Sequence, residues 1–347
     1  EGENAIFIAI ARDRAGNETV GTTDNTSIHI DETFPELTDI SIYSDNELDT
    51  TWAKLGNNVI LQFTASEGLS SPSGIILVDT LTLNSTLNGT EWTLTKLLDE
   101  EDEEGVISFS ISFADTAGNI GNPISETTNG VEVTLDKTNP SISNLLEGEN
   151  GEDISYYNQS DSITLYWEQY DSLAGVLDGY VALGTDSNST DIFDWTLSDN
   201  GSFSGLGGLN LSNNGIYFGG AFIRDSAGNH SDTIWGNSIY IDTKIPDTGS
   251  IIDGYWVMDL DYSIDSTKLS YIWSNFTDNT EIDYYEIAIG TGNDTSNTLD
   301  WITSDSTDSM TVTGLNLVRD TLYYTYIKAV DLATNQSISA KTDGIYF

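Results

Sequence analysis

Every 102 to 110 residues this chain returns to the same five-residue turn, and that period governs what it can fold into. Asp13-Arg-Ala-Gly-Asn17 is followed by Asp115-Thr-Ala-Gly-Asn119, Asp225-Ser-Ala-Gly-Asn229 and Asp331-Leu-Ala-Thr-Asn335. A second marker trails the first three: Asp31-Glu-Thr-Phe-Pro35, Asp136-Lys-Thr-Asn-Pro140 and Asp242-Thr-Lys-Ile-Pro246, at intervals of 105 and 106 residues. A repeat this long means whole domains copied in tandem, not the short units of a solenoid.

Charge narrows the partners. Against 56 acidic residues stand 11 basic ones, a formal net charge of −45, which repels nucleic acid phosphates and anionic lipid over the whole molecule. Nucleic acid is excluded as a partner, and no run of 18 apolar residues offers direct membrane insertion. Apolar content of 38%, with 8 Trp, 17 Tyr and 11 Phe, still suffices for packed cores, so acidity does not mean disorder. There is no Cys, so stability must come from packing or from bound ions.

A Pro fixes φ and lacks an N–H, which suits a chain leaving one sheet for the next sandwich. Boundaries placed at the three Pro give the last two strands of an incomplete module at 1–34, then modules at 35–139, 140–245 and 246–347. Strict alternation over Val106–Phe113 puts Ile107, Phe109, Ile111 and Phe113 on one face and Ser108, Ser110 and Ser112 on the other, the pattern of a half-buried strand. Val131–Leu135 repeats it, while Ala5–Ile10 and Ser27–Ile30 are the two strands expected at the start. A lone hairpin is marginal in water, so earlier residues or another chain must complete that module. No amphipathic helix is evident. The fold class is all-β.

Modules 140–245 and 246–347 align without a gap over most of their length. Trp167 matches Trp273, Gly184-Thr185 matches Gly290-Thr291, Trp195 matches Trp301, Gly208–Leu211 matches Gly314–Leu317, and Tyr217 matches Tyr323, each pair 106 apart. This order resembles the fibronectin type III family, whose core positions fall on Trp167, Leu209 and Tyr217, then on Trp273, Leu315 and Tyr323. Module 35–139 has no Trp on its second strand, Asn58–Thr64. Its Asp115 turn and its Asp136-Lys-Thr-Asn-Pro140 exit resemble the bacterial immunoglobulin-like repeats of large surface adhesins. Together the resemblances imply tandem immunoglobulin-like and fibronectin type III-like β-sandwiches in an elongated array.

In that order of strands the turn lies at the entry pole, beside the preceding linker. Asp31 should then face Asp115, Asp136 should face Asp225, and Asp242 should face Asp331. Two readings are open. A hard cation such as Ca2+ wants six to eight oxygens and fits carboxylates plus turn carbonyls; alternatively the Asp residues bond their own backbones, with the Asn at the αL position. The run Asp99–Glu104 reads either as a solvated loop, the favoured reading, or as a segment whose repulsion a cation offsets, and it has no EF-hand spacing. His29 and His230 build no triad, and no zinc, phosphate-loop or nucleophile-elbow motif occurs. Tyr324 and Tyr326, expected to point outward, offer a surface for glycans or a neighbouring chain. Twelve Asn-x-Ser/Thr sequons, Asn229 and Asn335 among them, would carry glycans if the source modifies exported proteins.

The resulting expectation is a non-enzymatic spacer of an extracellular, cell-surface repeat protein, an adhesin-like stalk stiffened by calcium at its junctions. Its partners are neighbouring modules or identical chains, and surface glycans or proteins. Two alternatives remain: a filament or sheath subunit assembled by strand exchange through residues 1–34, and accessory modules of a secreted polysaccharide-degrading enzyme.

Overall fold

A computed structural model describes residues 3–5, 8–21, 28–70, 72–85, 89–148, 151–198, 202–255, 258–305 and 308–347. Among them every regular element is a β-strand, and no helix is long and apolar enough to cross a membrane. The chain divides into two compact units, 1–141 with 170–177 and 224–231, and 142–169 with 178–223 and 232–347.

In the first unit, Asn58–Ala65 sits between Leu37–Ser44 and Glu91–Leu97, and Asn84–Ser85 completes that antiparallel sheet. Alternation sends Val59, Leu61, Phe63 and Ala65 inward. Across the core lie Ile107, Phe109, Ile111 and Phe113, all buried as the pattern requires. The strand that carries them is nevertheless broken. Gly105–Val106 pairs with Thr134–Leu135, whereas Phe109–Ser112 pairs with Ser73–Ile76, so the chain changes ladders while keeping its inward face. The strand expected over 131–135 is correspondingly only Thr134–Leu135.

The acidic run is not a free loop. Lys96 is 4% exposed and pairs with Asp102 at 2.9 Å and with Asp79, and the Asp102 carboxylate is buried with it. Lys137 Nζ donates to the carbonyls of Asp102 at 2.7 Å and Glu100 at 3.1 Å. Glu104 Oε1 accepts the amides of Lys137 and Thr138. Lys96 thus neutralises Asp102, amides hold Glu104, and Lys137 ties the backbone of the run in place.

At the start of the unit are two short antiparallel ladders. Glu3–Ala5 pairs with Ile28–Ile30, and Ala9–Arg12 pairs with Glu18–Gly21 around the Asp13 turn. Ile8, Ile10, Val20 and Ile30 are exposed. Residues 6, 7 and 22–27, part of the expected strands, lie outside the described residues, as does the His29 side chain.

From Ser141 onward the same two-sheet plan appears twice. Ser141–Glu147, Ser162–Tyr170 and Phe203–Gly207 form one sheet, and Tyr156–Tyr157, Ile234–Ile241, Ile216–Asp225, Val176–Gly184 and Phe193–Leu197 the other. Then Met258–Asp259, Ser250–Tyr255, Lys268–Ser274 and Ser309–Thr313 are matched by Leu299–Asp305, Ile282–Thr291, Leu322–Asp331 and Ala340–Lys341, with Ile345–Tyr346 also on Leu322–Asp331. Two sheets, three strands with five in the first copy and four with five in the second, give the fibronectin type III-like sandwich expected from the sequence. Trp167, Tyr217, Trp273, Leu315 and Tyr323 are buried as expected. Leu209 is the exception: it is half-buried, while Leu211, two residues on, is buried like its counterpart Leu317.

The corner before each Tyr is tied by the phenol itself. Tyr217 Oη accepts the Ser212 amide at 2.9 Å, and Tyr323 Oη accepts the Val318 amide at 2.7 Å. Gly208 and Gly314, at φ 71° and 79°, allow the reversal that precedes it.

Lys96→Met should destabilise the chain by about 3 kcal/mol, because it leaves Asp102 buried without its cation. Urea unfolding would show this as a lowered midpoint at unchanged slope.

Candidate metal centres

Each turn is built by its first and last residues. Asp Oδ1 accepts the backbone N–H of the Asn four residues on, at 2.8 Å in Asp115/Asn119, Asp225/Asn229 and Asp331/Asn335. Oδ2 accepts the same Asn's Nδ2, at 2.7, 2.9 and 2.9 Å. Asp13 and Asn17 make both bonds too. The left-handed position belongs not to the Asn but to its predecessor: φ is 91° at Gly16, 100° at Gly118, 88° at Gly228 and 69° at Thr334. The reason is chemical, since the Asn is retained for its amide. The second hydrogen of that amide reaches the carbonyl of the linker Asp, from Asn119 to Asp31 at 3.0 Å, Asn229 to Asp136 at 3.1 Å and Asn335 to Asp242 at 2.9 Å.

Linker and turn are thereby drawn together. Asp31, Asp136 and Asp242 also close Asx turns, each Oδ1 accepting the amide two residues on, at 2.9 to 3.0 Å. Backbone capping and carboxylate convergence therefore coexist. The three expected pairs meet, and each meets a third acid: Asp31, Glu67 and Asp115; Asp136, Asp171 and Asp225; Asp242, Asp278 and Asp331. Within each triad, one oxygen from every member lies within 4.8 Å of the others. The first two triads belong wholly to the first unit and the third to the second.

Glu67, Asp171 and Asp278 are the residues that sequence reasoning missed. They occupy one topological place, the loop after Asn58–Ala65, Ser162–Tyr170 and Lys268–Ser274 respectively. Asp171 Oδ2 accepts the amides of Leu173 at 3.0 Å and Gly175 at 2.7 Å, and Asp278 Oδ2 accepts Thr280 N and Oγ1, both at 2.9 Å. The other oxygen of each, Oδ1, is buried with no hydrogen-bond partner. Such an oxygen is costly unless a proton or a cation reaches it.

The electrostatics agree. Burial pushes the Asp136 carboxyl up to about 6, against the pull of the Thr138 and Ala174 amides and with Asp171 adding repulsion. Burial raises Asp225, with Asp171 contributing, and raises Asp331, with Asp242 and Asp278 contributing. Glu67 rises through burial and then through Asp31 and Asp115. Asp115 is the exception: against burial, the Asn119 side chain and the turn amides hold its carboxyl below the usual carboxylate value. Clustered hard oxygens of this kind could hold a calcium ion, with turn carbonyls as additional ligands.

The aromatic expectation needs correction. Tyr326 is buried and Tyr324 half-buried, because Lys341 lies over both rings, its Nζ 3.5 Å from the Tyr324 centroid. One module earlier a group of half-buried rings packs together. There Trp195 meets Phe222 at 5.0 Å and Trp235 at 5.8 Å, and Tyr180 stacks on Phe222 at 4.8 Å.

No protein-family model and no curated protein matches this sequence. Among solved structures, the chain is similar to the FN1–FN3 domains of chicken CNTN1, at 12% identity and a TM-score of 0.40, over 90% of this chain and 99% of that one. It is also similar to a structure from a 1.5-MDa bacterial ice-binding adhesin, at 17% identity and a TM-score of 0.39, over 87% and 95%. A tetra-tandem repeat from the extending region of a large adhesion protein aligns at 19% identity and a TM-score of 0.29, over 97% and 80%.

Thr334 places a β-branched side chain in left-handed backbone where the other turns have Gly. Thr334→Gly should stabilise the chain by about 1 kcal/mol, read as a higher thermal midpoint in chelator.

Proposed function

We propose that the chain is a non-enzymatic spacer segment of an extracellular, cell-surface repeat protein, and that its acidic triads hold calcium where one sandwich hands over to the next. The observation that carries this reading is the threefold construction of one device. Linker Asp, loop acid and turn Asp converge three times, under the same Asn amide, at the period of the repeat itself. A catalytic site needs to be built once, whereas a joint is needed at every handover. A calcium ion bound at each would fix linker and loops together and convert a string of independently folded sandwiches into a stiffer series.

The strong negative charge supports the same setting. It keeps crowded copies apart and suits a saline medium in which millimolar calcium is available.

Calcium should raise the thermal midpoint of chelator-treated protein, by the equivalent of about 2.7 kcal/mol per site at a hundredfold excess over Kd. The gain has a defined pH dependence. Asp136 binds its proton more tightly folded than unfolded, so the stability this lends is complete below about pH 3.8 and is lost as pH rises through about 6. Without calcium the chain should weaken over that window, and the calcium effect should grow over it and level off above. Asp171→Asn and Asp278→Asn should each remove one bound equivalent in a calcium titration. A melting curve indifferent to calcium at pH 7 would refute the reading.

A further inference from the structure

The two duplicated modules each bury an acid that the triads do not use. Glu147 ends the strand Ser141–Glu147, and Asp253, 106 residues on, lies in Ser250–Tyr255; neither has any solvent exposure. A Gly at positive φ follows each, Gly148 at 146° and Gly254 at 131°, which turns the chain back so that a second acid, Asp153 or Asp259, returns beside the first. The duplicates then part. In the later copy a third carboxylate, Asp343, joins, and Asp253, Asp259 and Asp343 each offer an oxygen within 4.8 Å of the others. In the earlier copy the matching residue is Asn237, whose Nδ2 donates to Asp153 Oδ2 at 2.9 Å.

The buried floor of the later cluster is not satisfied by the protein. Asp253 Oδ2 accepts the Gly344 amide at 3.3 Å, while Oδ1 is buried with no partner. Asp259 and Asp343 are exposed, so the cluster opens to solvent on one side. We propose that Asp253, Asp259 and Asp343 form a site for a hard divalent cation of calcium's size inside the last module, separate from the triads, and that the equivalent position one module earlier has lost it.

The neighbours of the two acids support this division of roles. Glu147 lies against Gly236, where a Cβ would fall 1.5 Å from its Oε1, and beside Ile154, Ile163 and Ile239 around a small apolar void. Burial, reinforced by Asp153, pushes its carboxyl up to about 8, so at neutral pH it stays a neutral acid in an apolar pocket. The residue matching Gly236 is Thr342, which donates to the shorter Asp253. A longer acid against Gly and a shorter one against Thr fill similar space. Only the shorter one is left with two further carboxylates in reach. Burial, then Asp259 and Asp343, raises Asp253 to about 7, a position that a divalent ion would reverse.

The test uses the full chain and calcium or terbium as the probe. Asp343→Asn, which installs the earlier copy's amide, should bind one calcium equivalent fewer than the parent, with the far-UV spectrum unchanged because Asp343 is exposed. Terbium luminescence excited through tyrosine should fall with it, since Tyr271 lies directly across the ladder from Asp253. Asp259→Asn should do the same, and Asn237→Asp should not lower the count. A chain carrying Glu67→Gln, Asp171→Asn and Asp278→Asn should keep one equivalent, which separates this site from the triads. If the triads bind nothing, the parent should bind one equivalent and Asp343→Asn none. Equal stoichiometry in parent and Asp343→Asn, or no equivalent left in the triple variant, would overturn the proposal.

Discussion

Like charge without a counter-charge is the constraint on which the rest of this structure depends. With so few basic side chains, the chain cannot neutralise its carboxylates pairwise. It spends Lys96 and Lys137 on the acidic run, where Asp102 would otherwise be buried alone. Elsewhere it relies on amides. Asn119, Asn229 and Asn335 each stabilise one carboxylate with a backbone and a side-chain N–H, and amides of Thr138, Ala174, Leu173 and Gly175 serve Asp136 and Asp171. Hydrogen bonds of this kind hold the anionic form without cancelling its charge. Where they run out, at Oδ1 of Asp171, Asp253 and Asp278, an oxygen is left facing other oxygens.

Much of the fold was legible before the structure because hydrophobic alternation and repeat spacing are statements about geometry. The Ile107 to Phe113 face follows from period two, and the Trp167 and Trp273 cores follow from the period of 106 together with the resemblance to fibronectin type III modules. So does the pairing of Asp31 with Asp115, since the order of strands fixes which loops share a pole. What escaped was whatever depends on exchange between ladders or on a residue without a distinctive neighbour. The break between Val106 and Phe109 does not disturb the alternation, so no pattern could reveal it. Glu67, Asp171 and Asp278 sit in loops of unequal length, and among 56 acids their spacing carries no signal. Lys341 folds over Tyr324 from another strand, which local sequence cannot express.

The duplicates add a lesson about divergence under a fixed frame. Their corners, phenol bonds and turn amides are reproduced almost atom for atom, because each fulfils a backbone requirement that any copy must meet. Their outer faces are not. Trp195 keeps company with Phe222 and Trp235 in one copy, while the matching Trp301 in the other lies under Lys328, and the buried acids differ in length and company. Positions that close the sandwich are constrained, and the copies acquired separate chemistry at the remaining positions, outer aromatics and buried acids alike.

The doubly engaged turn amide also bears on modification. Asn229 and Asn335 both stand in acceptor sequons, yet both hydrogens of each Nδ2 are committed, one to the carboxylate four residues back and one to a main-chain oxygen. Attaching a sugar would replace one of those hydrogens with a bulky substituent pointing into the pole of the sandwich. A transferase could reach these two side chains only while the polypeptide is still unfolded, and a chain so marked could not afterwards close its turn, so the folded population is selected to be bare at both.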